Sequence, residues 1–105
     1  MNENRNERMQ EVVREVAAEF LAREANRNSL ITVTRTDISS DGKRVNIFLS
    51  VFPDTMEEQA LAFATRNRSE FSDFFKKKVR ALPPHVEFLI DQGEKNRRRL
   101  DEISE

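Results

Sequence analysis

No cysteine, one histidine and two glycines occur in these 105 residues, and each shortage closes off a class of chemistry. Without cysteine there is no disulfide framework and no thiolate nucleophile, which fits a reducing compartment. A single histidine, His85, has no second histidine or cysteine with which to build a zinc site or a nucleophile–base pair, so a structural or surface role is the reading for it. Two glycines cannot make the glycine-rich loops that cradle phosphates, and neither GxxxxGK[ST] nor GxGxxG is present. The chain also lacks a run near the roughly 20 apolar residues of a membrane span, and its first residues interleave Glu and Arg with no apolar leader. These gaps argue against an enzyme, a cofactor or metal site and a membrane protein, and for a cytoplasmic one.

Net charge is scarce too, since 18 basic and 19 acidic residues nearly cancel, but their distribution is uneven. Between Arg66 and Leu82, Arg66, Arg68, Lys76, Lys77, Lys78 and Arg80 face only Glu70 and Asp73, an excess of four positive charges. A charged fraction of 35% and a mean hydropathy of -0.72 are polar for a folded chain. The apolar residues are nonetheless grouped periodically, which points to one folded domain spanning residues 1–105.

The densest apolar pattern runs from Leu30 to Asp54. Ile31, Val33 and Ile38, then Val45, Ile47, Leu49 and Val51, recur mostly at every second position, as in strands buried on one face. Ser39-Ser40-Asp41-Gly42-Lys43 lies between the two runs, and Gly42 supplies a positive φ at little cost, so an antiparallel hairpin is expected. Phe48 and Phe52 alternate with the core-facing set. They point away from the helices, either to stack bases or to cover the sheet edge.

Before the hairpin, Met9, Val12, Val13, Val16, Ala17, Phe20 and Leu21 share one helical face between residue 3 and about residue 26. Glu7, Glu11, Arg14, Glu15, Glu19 and Arg23 read as its solvated face, and residues 25–29 as its end. After it, Pro53 closes the second strand and Asp54 or Thr55 is expected to cap a helix over 56–66, with Glu57 and Glu58 in the first turn. Asn67-Arg68-Ser69 interrupts the pattern, and an apolar register restarts through Phe71, Phe74, Phe75, Val79 and Leu82. Two short helices or one helix bent at 67–69 satisfy it.

Pro83-Pro84 stops the helix, and Val86, Phe88 and Ile90 alternate as a third strand that Gln92-Gly93 ends. Residues 94–105 form either a short helix docked through Leu100 and Ile103 or a frayed tail. The order is helix, strand, strand, helix, helix, strand, an α+β two-layer domain with helices on one face of a three-stranded sheet.

The consecutive Lys76, Lys77 and Lys78 crowd like charges that an anionic partner would relieve. Arg66 and Arg68 flank the break, where a helix N-terminus adds exposed N–H groups and its dipole. The arrangement suits binding of a phosphate backbone.

Three blocks of the chain also carry a family likeness. The hairpin run from Ile31 to Phe52 resembles that of ribosome-binding factor A proteins. Val86 to Asp91 is similar to their third strand, and Arg99-Leu100-Asp101-Glu102-Ile103 to their closing motif. The resemblance implies a type II KH-like fold of order αββααβ. It further implies a non-catalytic, monomeric factor that binds the small ribosomal subunit and its rRNA, assisting late maturation and 5′-end rRNA processing, especially in the cold. In that family an Ala-x-Gly kink lies between the last two helices; here Asn67-Arg68-Ser69 occupies it, without the alanine or the glycine. The expected rRNA contacts are therefore Arg66, Asn67, Arg68, Ser69, Lys76, Lys77, Lys78 and Arg80. The alternative is a divergent KH-like module that binds a protein and no rRNA.

Overall fold

A hairpin of two nine-residue strands, β1 (Leu30–Ile38) and β2 (Arg44–Phe52), forms the centre of the computed structural model, which describes residues 2–24 and 29–97. Its turn closes through hydrogen bonds from Gly42 N to Ser39 O and from Ser39 N to Arg44 O, each 2.9 Å. Gly42 has a φ of 74°, as the sequence required. A long helix, α1 (Asn2–Glu24), precedes the hairpin. After it come a 3-10 turn (Asp54–Met56), α2 (Glu57–Arg66), α3 (Arg68–Val79) and β3 (His85–Ile90). The element order is the expected αββααβ.

The sheet order is β1-β2-β3, with β1 antiparallel and β3 parallel to the central β2. Parallel pairing needs a long crossover, and the two helices supply it. Val45, Ile47, Leu49 and Val51 on β2 are buried on one side, and Val13, Val16, Ala17, Phe20 and Leu21 of α1 and Phe71 and Phe75 of α3 share one core with the first three. Val86 and Phe88 complete this core from β3. Each large apolar side chain there contributes about 1.5–3 kcal/mol of transfer free energy.

The uneven alternation on β1 has a local cause. Val33 pairs with Leu49 and Arg35 with Phe48, so Thr34 is an extra residue in a bulge. Ahead of it Ile31 and Val33 face the helices; beyond it Thr36 and Ile38 do. Thr36 is buried and donates from its hydroxyl to Gln10 O at 2.9 Å, and Ile38 N donates to Gln10 Oε1 at 3.0 Å. The polar side of α1 thus fastens the far half of β1.

Several local expectations need correction. Neither Asp54 nor Thr55 occupies the α2 N-cap: the 3-10 turn intervenes, and Met56, at the cap position, offers no side-chain hydrogen bond. Leu82 is 82% exposed and does not continue the α3 core stripe, because the helix ends at Val79 and Arg80 turns the chain away in a left-handed conformation. Residues 92–97 are helical, and Asp91 opens them by accepting from Glu94 N at 3.0 Å. Lys95 Nζ reaches Glu57 Oε1 at 2.9 Å and ties this turn to the start of α2. Residues 25–28, where the end of α1 was expected, and 98–105, with Leu100, Ile103 and the closing family motif, lie outside the described residues.

Candidate nucleic-acid interface

The break between the later helices is one residue long. Asn67, at φ -99° and ψ 16°, ends α2 and begins α3. Its N–H bonds to Phe63 O and Ala64 O, its side-chain amide donates to Phe63 O at 2.8 Å, and its carbonyl accepts from Phe71 N at 2.9 Å. The asparagine amide thus adds a second donor to the Phe63 carbonyl at the end of α2. The result is two helices meeting at an elbow.

Arg66 closes α2 and Arg68 opens α3. Arg68, Ser69 and Ser72 line one side of an open cleft of about 210 Å³, opposite Pro84, His85 and Val86. Arg68 Nη1 donates to Glu87 Oε1 at 2.9 Å, and His85 Nε2 lies 2.9 Å from the same oxygen. The His85 hydrogen bond first, and the Arg68 charge after it, hold the Glu87 carboxyl below its ordinary range. The backbone of His85 is also engaged, its N–H donating to Lys43 O at 2.9 Å. The one histidine is thus a surface residue that joins β3 to the hairpin.

The lysines lie elsewhere. Lys76, Lys77 and Lys78 form the last turn of α3, roughly 12 Å along its axis from Arg68. The structure therefore divides the expected residues into two groups. Arg66, Asn67, Arg68 and Ser69 gather at the elbow, while Lys76, Lys77, Lys78 and Arg80 gather at the other end of α3. All three lysines are exposed. Lys78 also reaches α1, where it pairs with Glu19 and lies 5.7 Å from the centre of the Phe74 ring.

Arg23 of α1 approaches that ring too, at 5.3 Å. Phe20, Arg23, Glu70, Asp73, Phe74, Lys77 and Lys78 line an open groove of about 570 Å³ between α1 and α3, so both signs of charge face it. Sequence reasoning took Arg23 and Glu19 for solvated charges of one helix; their partners are on α3, more than fifty residues later. The only signal was that Arg23 stands one turn beyond Glu19, as Lys78 stands one turn beyond Phe74.

On the open face of the sheet, the Arg35 guanidinium stacks over the Phe48 ring at 4.1 Å. Phe52 lies opposite Leu30, and the two are 64% and 66% exposed. Both phenylalanines face away from the helices, as expected. Among the described residues no group of three histidine, aspartate or glutamate side chains could hold a metal ion. No described helix is long and apolar enough to cross a membrane.

An elbow between two helices, packed on a mixed three-stranded sheet and followed by a basic turn, invites comparison with known families. The model of one family, ribosome-binding factor A, matches residues 5–104. The chain belongs to that family. The crystal structure of ribosome-binding factor A from Thermus thermophilus is similar to it with a TM-score of 0.70 and 23% identity, over 81% of this chain and 94% of that one. A homology model of the Thermus thermophilus factor, fitted into a cryo-EM map of a 30S complex, has a TM-score of 0.71 and 23% identity, over 81% and 93%. No curated protein sequence matches the chain. The structural likenesses show the fold, the KH-like arrangement of ribosome-binding factor A.

Proposed function

We propose that the chain binds the small ribosomal subunit through its rRNA and assists late maturation, including processing of the rRNA 5′ end, by positioning and without catalysis. It does so as a monomeric single domain in the cytoplasm. The carrying observation is the family match over nearly the whole chain, joined to a helix that presents cations at both ends. The homology model of the Thermus thermophilus factor fitted into the map of a 30S complex supports the choice of partner.

In this reading Arg66 and Arg68 neutralise phosphates at the elbow, where Asn67 sets the bend and Ser69 offers a hydroxyl. Lys76, Lys77, Lys78 and Arg80 neutralise them at the far end of α3. A net charge of -1 gives little long-range attraction. Contact instead depends on local cations, which a Debye length of about 8 Å leaves effective at close range.

Sedimentation of the full chain with mature and precursor small subunits tests this. Comigration, strongest with precursors, is expected, with log affinity falling by about 0.7–0.9 per phosphate neutralised for each unit of log salt. Migration away from subunits, or binding indifferent to salt, would overturn the reading in favour of a protein-binding module.

A further inference from the structure

Of the elbow cations, Arg68 already has an anion. Its guanidinium donates to Glu87 Oε1 at 2.9 Å, with the two side chains 38% and 47% exposed. A carboxylate and a phosphate offer the guanidinium similar oxygen acceptors, and an arginine on one is withheld from the other. Glu87 is the better fixed of the two. It sits on β3 in register with Asn46 of β2, and His85, two residues earlier on the same sheet face, reaches the same oxygen. Arg68 is the longer side chain, with more rotatable bonds, and the cleft beside it is lined by Ser69 and Ser72.

We propose that Glu87 is a built-in competitor for rRNA phosphate at Arg68, so that this arginine engages only a backbone able to displace the carboxylate. The inference rests on the reading that Arg68 contacts rRNA. It gives the acid and the lone histidine a part in specificity. A stray polyanion meets Lys76 and Lys77, which are exposed, but finds Arg68 occupied. A backbone held at both ends of α3 presents its phosphate at high local concentration and takes the guanidinium from Glu87. Because the pair is open to water, the exchange has a small barrier to overcome, and salt weakens both contacts.

The test is a binding cycle of the full chain with isolated small ribosomal subunits, using R68Q, E87Q, the double variant, and E58Q as a control for general charge repulsion. Glu58 is exposed at the opposite end of α2 from the elbow. R68Q should weaken binding. E87Q should tighten it about threefold beyond E58Q, the scale of an exposed ion pair. In the R68Q background this excess should vanish. Circular dichroism melts report that each variant is folded. Should E87Q tighten no more than E58Q, or weaken binding while R68Q also weakens it, the competitor role is overturned, and Glu87 is an anchor that holds Arg68 in place. Unchanged affinity in R68Q would overturn the Arg68 contact itself, and the competitor with it.

Discussion

Thr34 Oγ1 donates to Asp91 Oδ2 at 2.6 Å, so the residue that the bulge leaves over on β1 holds the carboxylate that opens the helical stretch 92–97. Asp91 N donates in turn to Leu49 O at 2.8 Å. One residue thereby links all three strands to the segment that Lys95 ties to α2.

That link has a pH signature. The Thr34 hydrogen bond first, then the Glu94 N–H and the Arg35 charge, hold the Asp91 carboxyl below its ordinary range despite its burial. A depressed folded-state pKa contributes stability that is present above the unfolded value, near 3.9, and is lost as pH falls through the folded value. D91N should cost about 1–2 kcal/mol at neutral pH. The gap between the melting curves of D91N and the parent should close on acidification below about pH 4. A constant gap at every pH would show that the charge is not what stabilises the cap.

The aromatic centre gives a prediction about packing. Phe71 is fully buried, with Phe20 and Phe88 rings edge-on to it at 5.6 and 6.1 Å. Phe71→Ala should cost about 3–5 kcal/mol by urea denaturation, a large part of the roughly 5–15 kcal/mol typical of a domain. A loss below about 1 kcal/mol would mean that the core collapses around the cavity.

Arg80 separates stability from binding. It sits at φ 59° and ψ 38° and closes α3 through a 2.9 Å bond from its N–H to Lys76 O. That conformation disfavours side chains with a Cβ by roughly 1 kcal/mol and suits glycine. Arg80→Gly should therefore raise the melting temperature while lowering affinity for small subunits. If both fall together, the side chain stabilises the helix end by contacts that outweigh the backbone cost.

The three lysines should not be equivalent. All three are exposed, but Lys78 is engaged by Glu19 and Phe74. K76Q and K77Q should each reduce the salt slope of subunit binding by about 0.7–0.9 with little effect on folding. K78Q should change the slope less and weaken the contact between α1 and α3, visible as a lower melting temperature. Equal slopes for all three would show that Lys78 leaves Glu19 on binding.

The elements and their order were legible because each rests on neighbours in the chain. Alternation at Val45, Ile47, Leu49 and Val51 marks a strand wherever it packs, Gly42 marks a turn, and Asn67 marks a helix end. The cap of α2 and the reach of α3 to Leu82 were misread by a few residues, since helix ends depend on where the chain must go next. Two short helices became distinguishable from one bent helix only once the Asn67 hydrogen bonds were visible.

The sequence alone determined the order of helices and strands in a two-layer α+β fold and the excess of positive charge between Arg66 and Leu82. The tertiary structure decided that these cations form two groups along α3, that Lys78 and Arg23 converge on Phe74, and that Glu87 occupies Arg68. The reason is distance along the chain: periodicity and turn chemistry act over a few residues, whereas the partner of a side chain 19 or 59 positions away depends on how helices and sheet pack.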